Sequence, residues 1–293
     1  MTDADAWTTP LPELIDLLEL APAGTDRFAA RHARVSVTTG HVFGGLVAAQ
    51  ALVAAGATVD PARLPHSMHT YFLRPGNASR PLHLEVGRSR DGRSFSQRQV
   101  VAVQDDRPIA ELSFSFAAAR AGLAHQVAAP AAEGPAGVRP DHEVLAELPG
   151  EVMPYATTLD AFEVRTVGLG PDWFRAVEPP EQPTLVWMRA TGPAPEDPLV
   201  HAALLVYASD MRILHPALRP HGRSMYDADV LPASIDHAVW FHRPVPVDQW
   251  LLWRCDSPWA GDGRALVRAS VYDGAGTLVA SAAQEGLIRV GAD

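Results

Sequence analysis

The chain has 293 residues, 47% of them hydrophobic, which is enough for one large domain or two medium ones with real cores. The formal net charge of -10 and the pI near 5.6 argue against a broad surface for nucleic acid or anionic membrane. Cys255 is the single cysteine, which excludes an intrachain disulfide framework and a multi-cysteine metal site. The first residues lack the features of a signal peptide, and no segment is long and apolar enough to span a bilayer. We therefore expect a cytoplasmic protein without membrane insertion and without a nucleic-acid partner.

The first part of the chain predicts two helices with a strand between them. Residues 11–20, LPELIDLLEL, have apolar side chains at helical spacing, which is typical of an amphipathic surface helix. Residues 28–38 alternate as a strand does. The stretch 40–59 is uncharged and Ala-rich after Gly44 and Gly45, which let the backbone turn tightly, so it predicts a buried helix.

A period of two follows the buried helix. Residues 65–117 alternate between apolar and polar side chains, with turn residues at Asp91-Gly92 and Asp105-Asp106, and predict a meander of antiparallel strands. Residues 119–150 are rich in Ala, Pro and Gly, which is typical of a linker.

A second buried helix is predicted in the stretch DPLVHAALLVYASDMRILHP, residues 197–216. Asp197 suits the N-cap, Pro198 suits the first turn, and the next residues carry no formal charge until Asp210. Pro216 is expected to end this helix. A carboxylate within a buried helix is costly unless a partner compensates it. Asp210 is therefore either a catalytic carboxylate or a residue of an exposed last turn that pairs near Arg212.

The pattern of a strand, a buried helix and a meander occurs twice. Phe72-Leu-Arg-Pro matches Phe241-His-Arg-Pro at an offset of 169, Asp91-Gly-Arg matches Asp262-Gly-Arg at 171, and the next turns, at Asp105 and Asp273, differ by 168. Three landmarks in one order at nearly one offset indicate an internal duplication. A long helix wrapped by an antiparallel sheet is the hotdog arrangement, so the α+β chain is predicted to be a double hotdog whose sheets join edge to edge. The expected division is an N-terminal hotdog at 8–118, a linker at 119–150 and a C-terminal hotdog at 151–291.

Five stretches also resemble the signature segments of one enzyme family: HVFGG, HSMHTYFLRPG, RDGRSFSQRQVVAVQ, ASIDHAVWFHRP and LVASAAQEGLIR. They resemble the bacterial acyl-CoA thioesterase II family, whose members are double hotdogs, and the similarity runs over residues 14–289. The resemblance implies hydrolysis of acyl-CoA to free fatty acid and CoA within lipid metabolism. It also implies a homodimer or homotetramer and no metal or organic cofactor.

The resemblance further implies three catalytic residues that position a water for attack on the thioester carbonyl. The family's Asp, its Thr or Ser hydroxyl and its Gln fall on Asp210, Ser234 and Gln284. Such a reaction needs an oriented water, an acceptor for its proton and donors for the oxyanion. Gly44 and Gly45, at a helix N-terminus, are the oxyanion candidates. Without the resemblance, Ser234 reads as a surface hydroxyl and Gln284 as a polar residue of an edge strand.

Other functions remain open at this stage. Asp236 and His237 are strand neighbours that point to opposite faces, which argues against a His/Asp pair. His237 is expected to be structural, packing or hydrogen-bonded near the site. A hotdog hydratase would pair the Asp with a His after the central helix, and His215 does not match that spacing. A double hotdog that binds acyl-CoA or an acyl chain without hydrolysing it is the alternative from another class. The duplicated landmarks also carry four arginines that favour a structural role and could bind the phosphates of CoA: Arg74, Arg93, Arg243 and Arg264.

Overall fold

The computed structural model describes residues 9–31, 40–147, 161–227 and 229–291. Within these ranges the helices are α1 (Leu11–Leu18), α2 (Gly44–Gly56), α3 (Asp141–Ala146), α4 (Pro198–Met211) and α5 (His215–Leu218). The first six strands are β1 (Ala21–Gly24), β2 (Arg27–Ala30), β3 (Leu64–Phe72), β4 (Leu82–Asp91), β5 (Phe95–Gln104) and β6 (Arg107–Ala117). The others are β7 (Phe162–Thr166), β8 (Thr184–Ala190), β9 (Val230–Ser234), β10 (Asp236–Phe241), β11 (Leu251–Gly261), β12 (Arg264–Tyr272) and β13 (Leu278–Val290).

The strands form one continuous antiparallel sheet with a symmetric order. That order is β1-β2-β4-β5-β6-β3-β10-β13-β12-β11-β8-β7, and β9 pairs with β13. The halves meet at the β3–β10 pair, where His69 lies opposite Ala238. Going outward from this pair, the strands of the first half correspond one by one to those of the second. The internal duplication, the double hotdog and the joined sheet are thus confirmed.

The two long helices lie side by side against the inner face of the sheet. A side chain at Gly45, near the start of α2, would collide with the Tyr207 carbonyl near the end of α4. A side chain at Gly56, the end of α2, would collide with Leu199 at the start of α4. The helices are therefore antiparallel, and their uncharged sequences are explained by burial on nearly all sides.

The ends of α4 and α1 differ from the predictions. The helix α4 begins as expected, since the Asp197 side chain accepts a hydrogen bond of 2.8 Å from the N–H of Leu199. It ends at Met211 rather than at Pro216, which lies inside the separate helix α5. The helix α1 ends two residues early. Of the strand predicted at 28–38, β2 contains Phe28 to Ala30, and residues 32–38 lie outside the described part.

Two of the predicted turns are confirmed by backbone angles that non-glycine residues rarely adopt. Asp105 and Asp106 have φ of 49° and 57°, and Asp262 has φ of 52° before Gly263 at 71°. Two consecutive positive φ values are typical of tight hairpin turns whose twist matches that of the strands. These turns join β5 to β6 in the first half and β11 to β12 in the second.

The segment predicted as a linker packs on the second half through Asp141 at the start of α3. Its carboxylate accepts hydrogen bonds from the N–H and hydroxyl of Thr166 at 2.5 and 2.7 Å, and from Arg212 at 2.8 Å. The boundaries of the two predicted hotdog domains stay a prediction. Among the described residues, no helix has the length and apolar character needed to cross a membrane.

Candidate active site

Asp210 is a buried carboxylate at the place where the two helices meet. It is the second-last residue of α4 and is 9% exposed. A Cβ built on Gly44, the first residue of α2, would lie 3.0 Å from Oδ2 of Asp210. Burial raises the pKa of Asp210 from 3.8 to about 6, against the opposing effect of hydrogen bonds from Gln284, Ser234 and the N–H of Gly45. The carboxylate therefore titrates close to neutral pH.

Ser234 and Gln284 approach Asp210 from the sheet. The Ser234 hydroxyl donates to Oδ1 of Asp210 at 3.1 Å. Nε2 of Gln284 donates to Oγ of Ser234 at 2.7 Å. Both side chains are neutral, so they orient the carboxylate without adding a charge.

A β-bulge turns Ser234 toward the inner face of the sheet. Ser234 lies opposite Gly286, whereas Ala238 lies opposite Ala283, so the β9–β10 strand contains one more residue than β13 over this interval. In a regular strand, Ser234 and His237 would point to opposite faces because they are three residues apart. The extra residue changes this alternation, and both side chains reach the interior.

Apolar groups enclose the three polar side chains. Gly286 is directly under Leu214, and a Cβ there would come within 2.6 Å of the Leu214 side chain. The Phe72 ring lies against Gly44. The rings of Phe43 and Tyr207 meet edge to face with centroids 5.0 Å apart. This packing explains the desolvation of Asp210.

The structure brings together the residues that the resemblance implied, namely Asp210, Ser234 and Gln284, with Gly44 and Gly45 beside them. The simpler interpretations are wrong for two of them. Gln284 is completely buried on β13, between β10 and β12, and is not on an edge. Asp210 is not an exposed partner of Arg212, since Arg212 pairs with Asp141 instead.

His237 is buried and hydrogen-bonded near the site, as the sequence predicts. His237 is 1% exposed, and its Nε2 is 2.7 Å from Oγ of Ser209, the neighbour of Asp210. His215, by contrast, packs in an aromatic cluster, 5.4 Å from the ring of Tyr226. Of the duplicated arginines, Arg74 donates to the Pro108 carbonyl and Arg264 pairs with Glu285.

The first half has apolar residues where the second half has polar ones. Met68 and His237 are related by the 169-residue offset of the repeat. Met68 lies opposite Phe114 on β6, and in the same way His237 lies opposite Gln284 on β13. Phe114 therefore occupies the place in the first half that Gln284 occupies in the second. Both Met68 and Phe114 are buried. The duplicated position thus serves packing, and the polar set belongs to the second half.

Comparisons with known proteins agree with this architecture. Two family models match, described as the acyl-CoA thioesterase N-terminal domain, over residues 33–117, and the acyl-CoA thioesterase C-terminal domain, over residues 129–288. Acyl-coenzyme A thioesterase 8 of Mus musculus is 36% identical over 288 residues, covering 94% of this chain and 88% of that protein.

Two solved structures are similar over nearly their whole length. An acyl-CoA thioesterase II from Mycobacterium marinum is 37% identical, with a TM-score of 0.76, and the match covers 94% of this chain and 97% of that one. A protein of unknown function with a hot dog fold from Alicyclobacillus acidocaldarius has a TM-score of 0.75 at 22% identity, covering 95% and 98%, which shows the fold alone. With both domain models matched in order and a relative of this identity along most of the chain, the protein belongs to the acyl-CoA thioesterase II family.

Proposed function

We propose that the protein hydrolyses acyl-CoA to free fatty acid and CoA with a water activated by Asp210, Ser234 and Gln284. The observation that carries this proposal is the Asp210 carboxylate, buried and yet held by two neutral donors with a pKa of about 6. A general base works best when its pKa lies near the operating pH. Membership of a thioesterase family supports the same reaction.

In the proposed reaction the water oxygen attacks the thioester carbonyl while Asp210 accepts a proton from that water. The tetrahedral intermediate then expels the sulfur of CoA as its C–S bond breaks, and the proton held on Asp210 returns to the leaving thiolate. Ser234 and Gln284 fix the carboxylate in one orientation, which lowers the entropy cost of reaching the attack geometry. Neither donor carries a positive charge, so they lower the pKa of the carboxylate less than burial raises it.

The oxyanion requires donors, and the N-terminus of α2 supplies them in this proposal. Backbone N–H groups at a helix N-terminus point outward and carry partial positive charge. The N–H of Gly45 donates to Asp210, so we assign the oxyanion to the N–H of Gly44 in preference to that of Gly45. Gly44 also lies against the carboxylate, since a Cβ there would be 3.0 Å from Oδ2 of Asp210.

The first experiment follows thiol release from short, medium and long acyl-CoAs with a chromogenic disulfide reagent. Cys255 is buried and its pKa is raised to about 12 by burial, so the protein's own thiol should contribute little background. We expect hydrolysis by the native protein and a loss of at least ~100-fold in Asp210→Asn, as for removal of a general base.

Asp236→Asn is the matched control for this experiment. Asp236 is near Ser234 in sequence, and its Oδ1 accepts from the N–H of Glu285, an interaction that an amide oxygen can keep. Its activity should stay close to native. Equal activity of native protein and Asp210→Asn would refute the site. Binding of acyl-CoA without thiol release would favour a non-catalytic acyl-CoA-binding protein.

Three further expectations stay predictions. A homodimer or homotetramer is testable by light scattering on the purified protein. A cytoplasmic location is testable by fractionation of the producing cell. The acyl chain length follows from the series of substrates in the hydrolysis assay.

A further inference from the structure

His237 lies in the interior next to two other polar side chains of the sheet. On β3 it is paired with Thr70. On β13 the register of Ala238 with Ala283 makes Gln284 its neighbour on the inner face. Such cross-strand neighbours have Cβ atoms about 4.5 to 5.5 Å apart. All three residues are at most 2% exposed, so solvent does not satisfy their polar atoms.

Each of these three side chains has one buried polar atom without an assigned hydrogen bond. Among the described residues, Nδ1 of His237, Oε1 of Gln284 and Oγ1 of Thr70 have no partner in strict hydrogen-bond geometry. Buried polar atoms in native proteins are nearly always paired, because an unpaired one costs about 1 to 3 kcal/mol. Gln284 is close enough to act as a hydrogen-bond partner that raises the pKa of His237, while burial lowers it to about 4. The imidazole is therefore neutral at pH 7, with one N–H to donate.

The number of hydrogens decides how the Gln284 amide must be oriented. Ser234 has one hydroxyl hydrogen and donates it to Asp210, so it must accept from the NH₂ group of Gln284. The amide oxygen then faces away from Ser234 and requires a donor. A flipped amide would instead point its oxygen at Ser234, which has no second hydrogen to give.

We propose that His237 is a positioning residue that donates from Nδ1–H to Oε1 of Gln284 and so holds the amide in its active orientation. Nε2 then accepts from the hydroxyl of Ser209, which lies 2.7 Å away, and this hydroxyl hydrogen turns to Nε2 from the Val206 carbonyl at 2.8 Å. The donors form one directed chain from α4 to the sheet and back: Ser209 to His237, to Gln284, to Ser234, to Asp210. This inference rests on the proposed function, in which Gln284 and Ser234 orient the carboxylate.

The other neutral tautomer gives the competing arrangement. In it, Nε2–H of His237 donates to Ser209, and Ser209 donates to the Val206 carbonyl at 2.8 Å. Nδ1 could then accept only from Thr70 or from a flipped amide. This arrangement leaves Gln284 without a donor for its oxygen in the orientation that serves Ser234.

Two substitutions at His237 distinguish these arrangements, since Asn places its amide nitrogen near the Nδ1 position and Gln places its own near Nε2. We expect His237→Asn to stay within about fivefold of native kcat, and His237→Gln to lose about tenfold or more with little change in KM. In His237→Gln the acid limb of the pH profile should also move to higher pH, because a disordered amide lowers the pKa of Asp210 less. Thr70→Val is the control and should leave kcat close to native. Equal losses of kcat in His237→Asn and His237→Gln would overturn the inference. A loss of kcat in Thr70→Val as large as that in His237→Gln would overturn it as well.

A direct measurement does not depend on turnover. The ¹⁵N chemical shifts of a neutral imidazole show which nitrogen carries the proton, and the signal of His237 among 12 histidines is the one missing in His237→Asn. We expect the Nδ1–H tautomer at pH 7. An Nε2–H tautomer overturns the inference even in a protein that hydrolyses acyl-CoA. A protein with the Nδ1–H tautomer that releases no thiol retains this chain of hydrogen bonds and loses the proposed function instead.

Discussion

The Cβ that Gly44 lacks would lie 3.0 Å from Oδ2 of Asp210. Gly44 begins the buried helix of the first half, and Asp210 is near the end of the buried helix of the second. The antiparallel packing of these helices therefore places a helix N-terminus of one half against the carboxylate of the other. The site requires both halves, although its three polar side chains come from the second alone.

The pH dependence of hydrolysis should follow the titration of Asp210. Since the carboxylate must be ionised to accept a proton and its pKa is raised to about 6, kcat/KM should rise with pH and reach half of its plateau near pH 6. Ser234→Ala removes a hydrogen bond that lowers this pKa, so its limb should move to higher pH. Initial rates between pH 4.5 and 8.5 measure both curves. If kcat/KM of the native protein instead reached half of its plateau near pH 4, the general base would be an exposed carboxylate and not Asp210.

Asp210→Asn should stabilise the fold at neutral pH while it removes activity. The folded pKa lies above the ordinary 3.8, so the folded state binds more protons than the unfolded state between about pH 4 and 6, and its stability falls as pH rises through this window. At about 1.4 kcal/mol for each pKa unit, ionised Asp210 costs on the order of 3 kcal/mol at pH 8. Thermal unfolding should give a higher Tm for the variant at pH 8 and nearly equal values at pH 4.

Asp141→Asn is the control for that experiment and should have the opposite sign. Asp141 is as buried as Asp210, but it pairs with Arg212 at 2.8 Å and accepts two hydrogen bonds from Thr166. Loss of its charge breaks the ion pair with Arg212 and weakens the two buried hydrogen bonds from Thr166, which we expect to cost roughly 3 kcal/mol. If Asp210→Asn and Asp141→Asn both had a higher Tm at pH 8, removal of any negative charge would stabilise the protein. That result would contradict the explanation that desolvation of Asp210 destabilises the native fold.

Alanine at Gly44 and at Gly45 should have different consequences. A helix interior normally gains up to about 1 kcal/mol from Gly to Ala. At Gly45 the new Cβ would lie 2.9 Å from the Tyr207 carbonyl, a backbone atom, so the helices must separate, and we expect a net loss of about 1 to 3 kcal/mol in unfolding free energy. At Gly44 the methyl meets the carboxylate and Phe72 at 3.0 Å, so kcat should fall more than stability. Denaturant unfolding together with steady-state kinetics separates the two, and a reversed order would contradict the packing described.

The hydroxyl of Ser234 should matter more than its size. Ser234→Ala removes the donor to Asp210 and the acceptor for Gln284, so kcat should fall by about 10- to 100-fold. Ser234→Thr keeps the hydroxyl and adds a methyl that restricts χ1, so kcat should stay within a few-fold of native. Kinetics on one acyl-CoA compares the three proteins. A threonine variant as slow as the alanine variant would mean that the inner face has no room for the methyl.

Much of this fold could be read from the sequence because its determinants are local or periodic. The period-two segments, the two uncharged helices and the Asp-containing turns each depend on neighbours within a few residues, and the repeat depends only on order and offset. The end of α4 was predicted less accurately, because a proline at 216 permits a new helical start as readily as it ends a helix. The end of α1 differs by two residues, which is the usual uncertainty of a helix terminus.

The sequence by itself determined the duplication, the two buried helices and the joined sheet, and through a family resemblance it proposed Asp210, Ser234 and Gln284 as site residues. Only the tertiary structure decided how these residues meet. The antiparallel helix pair brings Gly44 and Gly45 to Asp210, and an extra residue between Ser234 and Ala238 turns Ser234 to the inner face that already carries His237 and Gln284. Neither could be read from spacing, because a bulge reverses the alternation of a strand and a helix crossing is set by packing between residues far apart in sequence.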